Sequence, residues 1–357
     1  METMYPYRVA WHKPEAVEVS PESRRVLLEA LEYEFPTSRH RLAGLCGLGD
    51  VTLRRGCRQL IREGVLTLKY GPDPDSGKAC DLITPVCYPI LPVLELSETY
   101  MIWRLCNTMG ESVFATVRDR SGFWSPEDDL HALMGQVSAI LRARTCRLPK
   151  DIPMRPPVLL LPSPESTSAA ARASALPRDP DRLKALALRV LDKEPTGMLT
   201  HKEAVAHELG YHPSARGAAC VLHLRLGAIN TATLLIREHS SSRTSPLTVA
   251  DFGAEMSRTL QSTLGDLPIH SAPWQHSLAN FLASVCRFIT PQLVSIEAPD
   301  TVDALPTLQD ILPAGVSLQW TAYALNTPSL AHRGALRYAR RALWECMAGK
   351  SRQAAHE

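Results

Sequence analysis

Apolar positions along this chain change their spacing several times, and each change marks an element. Val26, Leu27, Ala30 and Leu31 recur at the helical period behind Ser20-Pro21-Glu22. Serine at the cap, proline in the first turn and an acid beside it agree on a helix start, so a helix is predicted from there to about Phe35. A short helix follows over Thr37–Cys46, with Thr37 as its expected cap and Gly47-Leu48-Gly49 as a tight turn. The next helix, opened by Gly49 or Asp50, runs to about Glu63, and Leu42, Leu45, Leu53, Leu60 and Ile61 give these helices one shared apolar face. Val65–Tyr70 and Ala79–Thr84 read as strands around the polar turn Gly71–Lys78.

Pro85, Pro89 and Pro92 then interrupt the pattern and predict an extended connector over 86–92. Beyond it, strand-like runs cover Val93–Ser97, Tyr100–Thr108 and Glu111–Asp119, and a helix runs from Ser125 to about Arg144. Val158–Leu161 reads as a buried, parallel strand, and Pro162–Pro180 as a long loop. The second half repeats this order. Helices are expected over Asp181–Leu191 and Thr200–Leu209, and strands over Ala219–Gly227 and Thr231–Arg237. A helix Gln275–Phe288, a strand Gln292–Glu297 and a closing helix His332–Trp344 complete it. The class is α/β with two similar lobes. The division expected is 1–85, a connector 86–92, a first lobe 93–180 joined by a C-terminal helix at 330–350, and a second lobe 181–329.

At 357 residues, with 45% apolar and 21% charged residues, the composition is that of an ordinary globular protein. A net charge of +2 excludes a general polycation, so positive charge matters only where it concentrates. It concentrates between Thr37 and Tyr70, where Arg39, Arg41, Arg54, Arg55, Arg58, Arg62 and Lys69 face only Asp50 and Glu63. Two short helices joined by a glycine turn, the second rich in arginine and followed by a hairpin, form a winged helix-turn-helix, which places a helix in the major groove of DNA. Thr52, Arg54 and Arg55 are the candidate base readers, and Ser38 and Arg39 the candidate phosphate contacts, with Arg58, Lys69 and Lys78 as further candidate DNA contacts. The bland reading of the arginines is a solvated helix face. Asp50 counts against groove binding unless it caps the helix or accepts from cytosine.

Other features point to no chemistry. Nine dispersed cysteines without a CxxC pair suit buried thiols in a reducing compartment. The start Met1–Tyr5 does not resemble a signal peptide, and no apolar run is long enough to span a membrane, so a cytoplasmic protein is expected. His207 and His212 are five apart and do not share a helix face as zinc ligands would. No metal and no cofactor is expected.

Gly47-Leu48-Gly49-Asp50-Val51-Thr52-Leu53-Arg54-Arg55, with Leu60–Leu66 and Gly77-Lys78, is similar to the N-terminal domain of ROK transcriptional regulators (repressor, open reading frame, kinase). Weaker echoes follow at His201–Gly210, Val221–Gly227, Ala279–Leu282, Pro291–Ile296 and Arg333–Leu336. The resemblance implies a winged helix domain before a two-lobed actin-like, sugar-kinase-like (ribonuclease H-like) domain, and a homodimer on double-stranded DNA. It also implies an effector cleft near Gly227, the loop after Arg237 and Thr200, where His201, Lys202, Glu203, Arg225 and Asn230 would orient a sugar-like ligand. Family kinases carry Asp-x-Gly-Gly-Thr on the first hairpin, whereas this chain has Leu96-Ser97-Glu98-Thr99-Tyr100. Their catalytic aspartate falls near His201, and Ala228-Ile229-Asn230 follow the one retained turn glycine, Gly227. The cysteine-rich zinc motif and the Glu-x-Gly-His motif are missing. The expectation is a sequence-specific regulator with a catalytically dead effector or dimerisation domain. The alternatives are a divergent ATP-dependent sugar kinase with an appended winged helix, or a protein-interaction module using that winged helix.

Overall fold

The computed structural model describes residues 19–33, 35–86, 90–97, 100–120, 125–142, 155–161, 179–191, 194–227, 230–237, 247–250, 253–265, 267–268, 271–299, 306–324 and 327–354. The chain divides into two compact units, Met1–Thr84 and Pro85–Glu357.

In the first unit, α1 (Pro21–Tyr33) starts where Ser20 Oγ accepts the Ser23 N–H at 3.1 Å. A two-residue strand β1 (Thr37–Ser38) leads into α2 (Arg39–Cys46), and α3 (Asp50–Arg62) follows. Strands β2 (Leu66–Pro72) and β3 (Ala79–Pro85) form the hairpin, and β1 pairs antiparallel with β3 in the sheet order β1-β3-β2. Leu27, Ala30, Leu31, Leu42, Leu53 and Leu60 close the helical core. Arg24 reaches Glu63 at 2.5 Å, which ties α1 to the end of α3 and removes Glu63 from the acids facing the basic surface.

The second unit contains the same fold pattern twice. Strands β4 (Leu91–Leu96), β5 (Tyr100–Cys106) and β6 (Ser112–Asp119) form an antiparallel meander. Helix α4 (Pro126–Arg142) leads to β7 (Val158–Leu161), parallel to β4, and α5 (Pro180–Leu191) to β8 (Gly197–Thr200), parallel to β7. Helix α6 (His201–Tyr211) ends the repeat. The second begins with β9 (Cys220–Arg225), β10 (Thr231–Arg237) and β11 (Leu247–Val249). Helices α7 (Gly253–Leu264) and α8 (Ala272–Ile289) precede β12 (Leu293–Pro299), and α9 (Pro306–Ile311) precedes β13 (Ser317–Tyr323). Helix α10 (Leu330–Ala354) closes the chain. The sheet orders, β6-β5-β4-β7-β8 and β11-β10-β9-β12-β13, are the same arrangement.

Each sheet buries one face under its own helices. Leu94, Leu96, Met101 and Trp103 meet Leu130, Leu133, Leu183 and Leu186 in one core. Leu222, Leu224, Val294 and Ile296 meet Leu260, Trp274, Leu278 and Leu282 in the other. Helices α6 and α10 pack on each other, with α10 also against β4 and β7, and α6 against β8 and β11. Their approach is so close that a Cβ on Gly334 would fall 1.7 Å from the Ala204 carbonyl oxygen.

Two sequence boundaries change. The first lobe does not stop at 180, because α5 packs into its core and β8 is its fifth strand. Gly197–Thr200 is too short to show a period, which hid it. The connector ends earlier than 92, since β4 begins at Leu91 and Ile90 is already buried. Pro92 sits at the start of that strand, before pairing with β7 begins at Val93, where a missing N–H is tolerated. Most of the expected loop Pro162–Pro180 lies outside the described residues.

Candidate nucleic-acid interface and interlobe cleft

The turn between α2 and α3 depends on Gly47. It adopts φ 64°, a left-handed conformation that suits glycine, and its N–H closes α2 on the Ala43 carbonyl at 2.9 Å. Ser38, not Thr37, caps α2, its Oγ accepting the Arg41 N–H at 3.4 Å, while Thr37 is buried in β1. Ser38 is itself buried, and its hydroxyl is also bonded to Asp73 in the wing turn. The Ser38 hydroxyl, expected at phosphate, is thus engaged within the fold. Asp73 accepts amide protons from Asp75 and Ser76 at 2.8 and 3.1 Å, and the Ser38 hydroxyl with these two amides holds its carboxyl below the usual range.

Helix α3 divides cleanly. Leu53, Gly56, Cys57 and Leu60 are buried, whereas Val51, Arg54, Arg55, Arg58 and Arg62 are exposed. The exposed set follows i, i+3, i+4, i+7 and i+11, one continuous face with four guanidiniums. Thr52 is half-buried beside it. Asp50 does not cap α3, whose cap is Gly49, but pairs with Arg54 at 2.5 Å. Arg39, Lys69 and Lys78 are exposed, as are the wing residues Leu68 and Tyr70. An extended row of cations on a helix that opens after a glycine turn has the chemistry to meet phosphates and base edges.

The cleft of the second unit is built differently. Glu95 on β4 is 1% exposed. Its Oε1 lies 3.0 Å from His201 Nε2, accepts the Tyr100 hydroxyl at 3.0 Å and stands 3.7 Å from Arg225. Its Oε2 stands 3.3 Å from His332 Nε2. Arg225 on β9 donates to His201 Nδ1 at 2.5 Å and to the Tyr100 hydroxyl at 3.2 Å, with the Tyr323 ring centroid 5.3 Å from its guanidinium carbon. Arginine only donates, so His201 Nδ1 is the acceptor and its Nε2 carries the proton that faces Glu95. One carboxylate thus joins both sheets with α6 and α10.

Burial alone would raise the Glu95 pKa, but the His332 and His201 rings and Arg225 outweigh it and hold the carboxyl well below its usual range. Burial, reinforced by Arg225, pushes His201 down against the pull of Glu95. Burial takes His332 down to about 3 although Glu95 opposes it. Both rings are neutral at physiological pH. Glu297 is pushed upward by burial, against Arg225 and the Leu330 N–H that its Oε1 accepts at 2.5 Å.

Of the five residues expected in this cleft, the fold brings His201 and Arg225 together. Two of the others are held by local hydrogen bonds. Glu203 and Thr200 form a reciprocal capping box at the start of α6. Asn230 accepts the Gly227 N–H at 3.1 Å and donates its own N–H to Gln261 at 2.7 Å. Lys202 is buried, with 8% exposure. Glu95, Tyr100, Tyr323 and His332 carry no motif that marks them in the sequence. Glu95 had a readable signal all the same, a lone acid inside the apolar run Val93-Leu94-Glu95-Leu96. His207 packs edge-on to Tyr338 and His212 caps a short turn at Pro213–Ala215, so the two histidines have separate tasks. Among the described residues no helix is long and apolar enough to cross a membrane.

No protein-family model and no curated protein matches the sequence. Among solved structures, the chain is similar to a ROK family transcriptional regulator described as a homologue of the E. coli MLC protein. That match has a TM-score of 0.52 at 12% identity, and covers 91% of this chain and 100% of that one. Weaker similarity extends to a ROK family glucokinase from Streptomyces griseus, with a TM-score of 0.45, 11% identity, and 71% and 100% of the two chains covered. A further one is Lmo2764, an N-acetylmannosamine kinase by its description, from Listeria monocytogenes, with a TM-score of 0.41, 11% identity, and 71% and 99% covered. The fold is shared with that first solved structure: an α/β chain with a winged helix-turn-helix unit followed by a two-lobed, actin-like, sugar-kinase-like domain.

Proposed function

We propose that this protein is a sequence-specific, double-stranded DNA-binding regulator whose second unit dimerises and performs no phosphoryl transfer. The observation that carries this reading is the exposed face of α3, where Arg54, Arg55, Arg58 and Arg62 align behind a glycine turn and ahead of a hairpin that exposes Lys69 and Lys78. A single short helix supplies too little discrimination alone, which favours a homodimer on paired half-sites. The described part of the first hairpin has no glycine where a phosphate would need close backbone approach. His201 stands where the resemblance puts a catalytic aspartate, and it is engaged by Glu95 and Arg225. The same mutual pairing favours a fastened cleft over an open sensor for a sugar-like ligand.

Binding of the full chain to a site selected from random duplex tests this. Arg54→Ala with Arg55→Ala weakens that site by about 1–3 kcal/mol for each base edge no longer read. Arg39→Ala, Lys69→Ala or Lys78→Ala weakens all sequences alike and reduces the salt slope by about 0.9 for each phosphate no longer neutralised. Equal binding by wild type and the double variant removes α3 as the reader. Titration with ATP and magnesium tests the second unit, and sugar phosphorylation there would return the chain to the kinases.

A further inference from the structure

We propose that the start of α3 reads an adjacent guanine and thymine, with Arg54 donating to the guanine, Asp50 holding Arg54 in place, and Val51 packing on the thymine methyl. This rests on α3 being the groove reader and adds which base edges it recognises.

The N-terminal part of a recognition helix is what reaches base edges. Here the first two turns present Asp50, Val51, Arg54 and Arg55. Val51 is 63% exposed, a branched apolar side chain standing on an otherwise cationic face. A lone exposed valine is ordinary by itself. This one lies one turn before Arg54 and Arg55 and two before Arg58, on the same face, so whatever meets the guanidiniums also covers its methyls. In the major groove the apolar group that can cover them is the thymine 5-methyl.

Asp50 changes meaning on the same geometry. A carboxylate pointed at the groove would repel phosphate. Its Oδ2 instead engages Arg54 Nη2 at 2.5 Å, with both side chains about half exposed. A guanidinium has five N–H donors in a planar fork, so one bond to Asp50 leaves a donor pair for guanine O6 and N7 while restricting the rotation of a long side chain. Asp50 is thus a positioning residue, and its charge opposes that of Arg54 and not that of the DNA.

The test uses the full chain and a half-site selected from random duplex, with each guanine replaced in turn by 7-deazaguanine and each thymine by deoxyuridine. Wild type should lose about tenfold in affinity at one guanine, where N7 is removed. It should lose about fourfold at the neighbouring thymine, the value of one buried methyl. Arg54→Ala should become insensitive to the first change and Val51→Ala to the second. Asp50→Asn should still bind but lose most of the discrimination against 7-deazaguanine. If Asp50 only adds charge at the helix start, that variant shifts both duplexes equally, and the positioning role is overturned. Wild-type binding indifferent to every base analogue, or losses that simply add to those of the variants, overturns the proposal while DNA binding stands. Failure to select any site removes the DNA reading and this inference with it.

Discussion

The two units use the same charged side chains in opposite ways. In the winged helix, Arg54 and Asp50 keep 53% and 58% of their side-chain surface in water. In the lobed unit, Glu95 keeps 1% and Arg225 16%. Elsewhere in that unit Arg337 and Arg333 converge on Glu208, and Arg118 and Arg120 on Asp129, whose side chain is fully buried. A surface pair adds little to stability, so exposed ions stay available to an outside polyanion even where one orients the other. Buried ions are committed to one another, because removing either strands its partner in a low dielectric. Ionic content alone therefore does not locate a binding surface; desolvation decides whether a charge serves recognition or cohesion.

Breaking one cleft ion should produce the largest effect. Glu95→Gln removes the charge that Arg225 faces while nearly keeping the volume, and should destabilise the second unit by about 3–5 kcal/mol in denaturant unfolding. The winged helix should unfold as before. A change under about 1 kcal/mol would mean that water, not Glu95, compensates Arg225.

This contrast also explains which parts of the molecule are legible in its sequence. Helix α3 is legible because its buried and exposed positions alternate at 3.6 residues and its turn needs a glycine. The repeated lobe order is legible from the strand runs around α4 and α8. Elements lacking a period of their own are not: β8 and β11 are short, β13 is an edge strand of mixed exposure, and α7 and α9 follow segments with no apolar rhythm. The cleft is half legible. Resemblance pointed to His201 and Arg225, but Glu95, Tyr100 and His332 come from three distant elements that only the paired sheets bring together. Asn230 and Glu203 look like free polar groups because a turn bond and a capping box are backbone events, invisible in residue type.

Packing offers the next effect. Gly334 lies where α10 crosses α6, so Gly334→Ala must push the helices apart, at about 1–3 kcal/mol as overpacking typically costs. Because α10 carries His332 and α6 carries His201, the same shift should loosen the Glu95 contacts, and combining it with Glu95→Gln should give less than the sum of the two losses. Strict additivity would show that the helix crossing and the ion cluster are independent.

Acid should act on the second unit before it acts on carboxylates. His332 and His223 are both pushed by burial down to about 3, and His201 is also lowered. In the unfolded chain these rings take up protons near pH 6.5, so the unfolded state binds more protons between that pH and about 3. Stability should be full above pH 6.5 and fall as pH drops, by about 1.4 kcal/mol per pH unit for each buried ring. Glu95, held below its usual range, adds a loss only beneath the ordinary carboxylate pKa. Urea midpoints at pH 8, 6 and 5 measure the slope, and His223→Gln should flatten it by one ring. A flat profile down to pH 5 would mean that these histidines are not desolvated.

The smallest effect should come from the winged helix, where Arg41 of α2 pairs with Asp75 in the wing turn. Asp75 is 55% exposed and Arg41 34%, so water screens the pair and Asp75→Ala should cost no more than about 1 kcal/mol of stability. Its effect on DNA should have the opposite sign. The substitution removes an anion from the unit that carries Arg39, Lys69 and Lys78 and should tighten binding to any duplex, most visibly at low salt where screening is weakest. Glu95→Gln removes one negative charge from the other unit and should leave that low-salt affinity alone. Tighter binding by Asp75→Ala with little loss of stability would place the wing among the surfaces that face DNA. Unchanged binding at every salt concentration would leave the phosphate contacts to α2 and α3 alone.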